Sequence, residues 1–214
     1  MPFPEISIKH LFPTPLVVGV LAPDVSADIN KQLAAIVLKK AEESKGVYVS
    51  NYGGWQSDDR LLEWGGSPVE TVLAHLRDLL ADITMIREGN EFRRAKIDWR
   101  IIGWANINRK GNSNVPHVHP GAYWSAVYYV QVEESDPKNP KGGELELLDP
   151  RGALPIFYCP TLRFGIKDYT SAGMSELHAP KAGQCVVFPS WLTHAVRPYI
   201  GDGTRISLAF NFAV

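Results

Sequence analysis

From about Ala95 to the end of the chain, apolar residues come in short runs, and clusters of glycine, proline and asparagine cut between them. The runs are KIDWRIIGWANIN, AYWSAVYYVQVE, ELELLDP, LRFGI, SELHAP, QCVVFP, THAVRPYI and TRISLAFNFAV, with turns at KGNSN, DPKNPKGG, PKAG and GDG. Runs of this length, β-rich and bounded by turn residues, read as strands. About eight strands in roughly 120 residues give a double-sheet jelly roll or a small barrel, so the chain is α+β and mainly β.

Residues 1–94 read as a helical N-terminal part of the same single domain, 1–214, with 95–214 as its β core. Ser26 can cap a helix running to about Ser44, in which Ile29, Leu33, Ile36 and Val37 recur at helical spacing. Ser67, Pro68 and Glu70 place a hydroxyl at a second N-cap, proline at the first helical position and a carboxylate at the third. Amphipathic helices of this kind cover a sheet. The intervening SNYGGWQSDDRLLEWGG reads as irregular, and Trp55, Gln56 and Ser57 in it are candidates for a substrate mouth.

A net charge of -1 gives no electrostatic reason to expect nucleic acid or an acidic membrane as partner. Cys159 and Cys185 lack the short spacing of a zinc knuckle or redox motif and read as reduced and buried. The N-terminus shows no basic leader, and no stretch approaches the roughly 18 apolar residues of a membrane span. A cytoplasmic protein is the expectation.

Against that background the stretch NVPHVHPGAYW stands out, because His117 and His119 hold a third of the chain's 6 histidines. Residues two apart on a strand project from one face, so both imidazoles can enter one cavity, a geometry that suits a metal. Imidazole serves zinc, copper, iron and nickel, so the pair does not choose the ion, and two nitrogens do not complete a site. His194, in FPSWLTHAVRPY, sits on an apolar strand where valine or leucine is the ordinary occupant, which makes it the third candidate ligand. His10, His75 and His178 lie in the N-terminal segment, a helix and a turn, and read as surface or simply satisfied side chains.

Arg205 opens the last strand, and alternation puts Arg205, Ser207, Ala209 and Asn211 on one face, with Ile206, Leu208, Phe210 and Phe212 on the other. The large apolar face should pack on the helices, leaving a guanidinium and a hydroxyl inside the barrel. A buried arginine needs an anion, and its planar fork suits a carboxylate.

The order HxH, GGE strand, PKAG, FPSWLTH, then R-x-S resembles the double-stranded β-helix of iron(II)- and 2-oxoglutarate-dependent dioxygenases over roughly residues 99 to 214. GGELELL resembles the glycine-pair strand of prolyl hydroxylases. Asn106 and Asn108 in WANIN resemble the Asn-x-Tyr pair that contacts the cosubstrate in oxidative nucleic-acid demethylases. GGWQS, HVHP, SAVYYV, GGELELLDPR and FPSWLTHAV together resemble a bacterial group of 2-oxoglutarate-iron(II) oxygenases without assigned substrates, over most of the chain.

The resemblance implies Fe(II) held by His117, His119 and His194, and 2-oxoglutarate as cosubstrate with its 5-carboxylate on Arg205 and Ser207. It further implies oxidative decarboxylation to succinate and carbon dioxide, most simply with hydroxylation of an unidentified small-molecule or peptide substrate. His119 stands where the superfamily carries a carboxylate, so its place as direct ligand or behind the ligands stays open. Asn106 and Asn108 contact cosubstrate or orient ligands. Of Tyr128 and Tyr129 one faces inward, and Tyr128 is the candidate to place its hydroxyl near the cosubstrate. Asp149 and Arg151 read as a salt bridge, and Trp124 and Trp191 as walls. A cupin-like metal-binding or acid-sensing module without turnover, and a three-histidine dioxygenase that does not use 2-oxoglutarate, fit the same histidines. A homodimer is compatible with the strand edges but does not follow from them.

Overall fold

The structure, a computed structural model, describes residues 7, 12–94, 96–136, 138–152, 165–166, 170–171 and 175–214. In chain order the elements are β1 (Val17–Val20), α1 (Pro23–Glu43), β2 (Asn51–Tyr52), β3 (Trp55–Gln56), α2 (Leu61–Trp64), α3 (Gly66–Ile83), β4 (Met85–Glu88), β5 (Glu91–Arg94), β6 (Arg100–Asn108), β7 (Ser113–His117), β8 (Trp124–Gln131), β9 (Leu145–Leu148), β10 (Gly165–Ile166), β11 (Thr170–Ser171), β12 (Ser175–His178), β13 (Gln184–Pro189), β14 (His194–Val196) and β15 (Arg205–Ala213). Two antiparallel sheets dominate, one in the order β1-β13-β8-β15-β6-β3 and the other in the order β12-β9-β14-β7-β2. Together they form the double-stranded β-helix.

β15 shows why the parts assemble this way. All 9 of its residues are buried, so it must be covered on both faces. Ile206, Leu208, Phe210 and Phe212 join one core with Leu33 and Val37 of α1 and Val72, Leu73, Leu76 and Leu80 of α3. Each such side chain, fully buried, contributes about 1.5–3 kcal/mol. The opposite face looks toward the second sheet, and between the two Tyr129, Val186 and Phe188 of the larger sheet meet Leu145 and Leu147 of the second and Leu192 in a smaller core. The helices therefore cover the outer face of the larger sheet and leave the space between sheets for the polar residues of β15.

Several boundaries differ from the sequence reading. The first helix begins at Pro23, ahead of Ser26, because proline at the first turn has no N–H to satisfy and its φ already suits a helix. Ser26 Oγ instead donates back to the Pro23 carbonyl at 3.2 Å. The second long helix begins at Gly66, with Ser67 inside its first turn and no side-chain cap. There α2 runs straight into a glycine pair, and Gly66 at φ +65° turns the chain in place of a capping hydroxyl. The segment read as irregular carries β2, β3 and α2.

The N-terminal part also supplies strands. The apolar run from Pro15 to Pro23 contains β1, an edge strand on β13, and MIREGNEFRR folds as the β4–β5 hairpin. Of LRFGI only Gly165 and Ile166 fall within the described residues, and His10 and Cys159 lie outside them. Cys185 is free and buried. Among the described residues, no helix is long and apolar enough to cross a membrane.

Candidate functional site

His117 and His194 meet because β7 and β14 are antiparallel neighbours in a register that sets the two residues directly opposite. Cross-strand partners hold their side chains close on one face, and these two rings lie 4.3 Å apart between centroids. His119 arrives by a different route from the strand alternation expected of it. β7 ends at His117, and the chain then bends toward Pro120, with the His119 N–H donating to the Ser190 carbonyl at 3.0 Å. That anchor swings the third ring inward, to 4.9 Å from His117 and 5.0 Å from His194. The ligand-capable atoms of the three imidazoles all lie within 4.8 Å of one another.

Hydrogen bonds fix which nitrogens face the centre. His117 Nδ1 lies 2.8 Å from the Val115 carbonyl, and His194 Nδ1 lies 2.8 Å from that of Leu192. A carbonyl only accepts, so both rings carry their proton on Nδ1 and present an Nε2 lone pair, the arrangement metal-binding histidines use. His119 Nε2 stands 3.2 Å from His194 Nε2. Two nitrogens about 2.1 Å from one ion and at right angles would be about 3 Å apart, so this spacing fits a shared cation. Burial holds all three imidazoles below their ordinary value, His119 to about 4 and His194 to about 3, and for these two the neighbouring rings also repel an added proton. They are neutral near pH 7, the state a metal requires.

The same cavity extends from the imidazoles to Arg205. Arg205 is 2% exposed, and among the described residues no carboxylate lies within ion-pair distance of it. Its Nη1 donates to Asn108 Oδ1 at 3.0 Å and to Ser207 Oγ at 3.3 Å, while Nε has no hydrogen-bond partner. The guanidinium lies 5.3 Å from the centroid of the Tyr129 ring, whose hydroxyl is likewise buried and unpartnered. Burial pushes the Tyr129 hydroxyl up in pKa, so it stays a donor. Orphaned buried donors beside an uncompensated cation describe a socket for an acceptor-rich anion. Gly143 makes room for the arginine stem: at φ +73°, a Cβ there would stand 2.9 Å from Arg205 Cδ.

The sequence-nominated residues divide as follows. Asn106 lines the cavity with an unpartnered Oδ1, whereas Asn108 orients Arg205. Tyr128 is a correction. It pairs across with Leu208, shares that residue's outward face, and donates to Asn30 Oδ1 of α1 at 2.8 Å. Tyr129 pairs with Ser207 and therefore faces the cavity. The buried hydroxyl of Ser125 on the same strand was the available signal, since residues 125, 127 and 129 share one face.

Trp55, Gln56 and Ser57 serve as scaffold: Trp55 donates to the Ser44 carbonyl, and Ser57 Oγ accepts from the Ala105 N–H. Ser50 and Asn114, joined at 3.2 Å, reach the cavity from that side. Trp124 donates to Thr84 within the helix-side core, Trp191 is 56% exposed, and Asp149 pairs with Arg151 at 2.7 Å. His75 is exposed, and His178 bonds Gln184 at 2.8 Å.

Residues 103–211, which include all three histidines, Arg205 and Ser207, match the family model described as "Putative 2OG-Fe(II) oxygenase". The chain belongs to this family. It is an oxygenase that depends on iron(II) and 2-oxoglutarate. Its fold is similar to that of a Pseudomonas putida prolyl-4-hydroxylase, with a TM-score of 0.59 and 18% identity over 92% of this chain and 91% of that one. It is also similar to a collagen prolyl hydroxylase of Paramecium Bursaria Chlorella virus-1 solved with 2-oxoglutarate (TM-score 0.53, 15% identity, 94% and 96% covered). A third likeness is HygX of Streptomyces hygroscopicus, solved with nickel, 2-oxoglutarate and hygromycin B (TM-score 0.54, 16% identity, 94% and 83% covered). No curated protein matches the oxygenase by sequence.

Proposed function

We propose that His117, His119 and His194 hold the iron(II), and that Arg205, Ser207 and Tyr129 receive the 5-carboxylate of 2-oxoglutarate in a hydroxylation of a small molecule or peptide. The observation that carries this reading is a buried arginine without an acidic partner among the described residues, in the same cavity as three converging imidazoles. Iron(II) with 2-oxoglutarate supplies the oxidising chemistry, in which dioxygen is reduced while the cosubstrate becomes succinate and carbon dioxide.

The protein's own contribution is positional. The Val115 and Leu192 carbonyls aim two imidazoles by accepting their Nδ1 protons. Asn108 and Ser207 hold the guanidinium with its Nε turned free, and the Tyr129 hydroxyl adds a second donor for the same carboxylate. Val127, Leu145 and Phe188 line the cavity with apolar surface that excludes water, which strengthens each of these polar contacts.

Hydroxylation as the outcome draws on the prolyl hydroxylases of like fold. A cytoplasmic location agrees with the free Cys185. The test is succinate formation from 2-oxoglutarate with iron(II), ascorbate and dioxygen across a panel of candidate substrates. Stimulation by one compound, together with a product heavier by one oxygen atom, supports the reading. Oxygen uptake with one of those compounds that ignores 2-oxoglutarate contradicts it.

A further inference from the structure

Among the described residues the cavity wall has no carboxylate. Its polar members there are the three imidazoles, Arg205, and neutral amides and hydroxyls. The acidic side chains on the flanking elements are engaged elsewhere: Glu146 with Arg197 at 3.4 Å and the Ser175 hydroxyl, Asp149 with Arg151, and Glu133 with Lys141 at 3.9 Å. Glu144 acts on Arg205 only as a longer-range charge.

On the reading proposed above, the charges do not cancel. Imidazole ligands bind a metal in their neutral form. A divalent ion and the guanidinium therefore bring three positive charges into a space walled by Val127, Leu145 and Phe188, and the dicarboxylate brings two negative ones. One positive charge is left in a poorly solvated site, where an uncompensated charge is costly. A carboxylate at position 119 would cancel it, and the chain has an imidazole there.

We propose that the metal-loaded site binds a second anion beside 2-oxoglutarate, contributed by an anionic group of the primary substrate, most simply a carboxylate. Cationic substrates, amines above all, are disfavoured by the same charge. The Asn106 Oδ1 left without a partner in the wall is free to take a hydroxyl or N–H adjoining that group.

The test uses the full chain loaded with cobalt(II) under anaerobic conditions, whose visible absorption reports changes at the ion. Binding of cobalt and then of 2-oxoglutarate is established first. Formate, chloride and methylammonium are next titrated separately at constant ionic strength, in the wild type and in His119→Asp. Formate should perturb the wild-type spectrum with 2-oxoglutarate already bound, and with an affinity on the order of tenfold or more above that of His119→Asp, since a unit charge a few ångströms away outweighs that difference even when screened.

No response to formate with both cobalt and 2-oxoglutarate bound overturns the proposal and leaves the oxygenase reading standing, whereas failure of cobalt or 2-oxoglutarate to bind removes both. Chloride binding as tightly as formate overturns the assignment to a substrate group in favour of a free inorganic anion. Should His119→Asp not take up cobalt, methylammonium in the wild type decides: a response equal to that of formate overturns the proposal, and its absence where formate responds supports it.

Discussion

Replacing Arg205 by methionine should weaken cosubstrate binding strongly while leaving stability nearly unchanged. The side chain is 2% exposed and has no carboxylate within ion-pair distance among the described residues. Exchanging buried ionic groups for apolar ones of similar volume is often neutral or stabilising, by about 1–4 kcal/mol where it stabilises. Methionine is the right size, because Gly143 already presses on the arginine stem. Against this gain, the exchange strands Asn108 Oδ1, at a cost of about 1–3 kcal/mol, and removes the Nη1 donor from the Ser207 hydroxyl.

The two effects nearly cancel, so the ligand-free variant should stay within roughly 2 kcal/mol of the wild type, which for a domain of this size is about 4–8 °C in Tm. For 2-oxoglutarate the change removes the cation proposed to hold its far carboxylate, a loss of about 3–5 kcal/mol, or roughly 10²- to 10⁴-fold in Kd. Thermal unfolding of the nickel(II)-loaded protein with and without 2-oxoglutarate reads both quantities. Ligand at 100 times Kd stabilises the wild type by about 2.7 kcal/mol, roughly 5–11 °C, and the same concentration should leave the variant unmoved. A ligand-free variant melting more than about 10 °C lower would mean that Arg205 is a structural residue, and an undiminished ligand shift would mean that the carboxylate binds elsewhere.

Tyr129→Phe should weaken 2-oxoglutarate by roughly 3- to 10-fold, the worth of one hydrogen bond, and spare the metal, whereas Tyr128→Phe should leave 2-oxoglutarate binding alone and cost about 1 kcal/mol of stability through Asn30; calorimetric titration and urea unfolding distinguish the two. His194→Leu should abolish uptake of nickel or cobalt at micromolar concentrations while the far-ultraviolet circular dichroism stays that of the wild type, and retained stoichiometric metal would remove this residue from the ligand set. Folded-state values of about 4 for His119 and about 3 for His194, against 6.5 for an ordinary imidazole, mean that the unfolded chain binds the extra protons between those limits. The metal-free protein should accordingly hold full stability above pH 6.5 and lose it as pH falls toward 4 and then 3, with a slope approaching about 1.4 kcal/mol per pH unit for each imidazole. Urea unfolding from pH 7 to 4.5 measures this, and a flat profile would contradict the burial of these rings.

The strands of the second half could be read from the sequence because their apolar runs are short and bounded by turn residues, and QCVVFP became β13 without a shift. The polarity of Arg205 and Ser207 on an otherwise apolar strand marked the cavity face, because such groups have no place in a dry core. The helix starts were harder: at Ser67 the turn is made by the backbone of Gly66, which is invisible to a search for capping hydroxyls. The β4–β5 hairpin carries a Gly-Asn signal, but its strands are exposed on every residue and so lack the alternation that announces a half-buried strand. Tyr128 and Tyr129 differ only in parity, and the parity of a strand is settled by its neighbours, here Leu208 and Ser207. His119 reaches the centre through a backbone bond to Ser190, a contact between segments remote in the chain that spacing alone does not reveal.

The most direct test is the anaerobic visible difference spectrum of the protein with iron(II) on addition of 2-oxoglutarate. A weak charge-transfer band should appear at one equivalent of iron, be lost in His194→Leu, and in Arg205→Met appear only at far higher 2-oxoglutarate. Tight iron binding without any such band, or a band that persists unchanged in both variants, would contradict the assignment of imidazoles and guanidinium to one shared site.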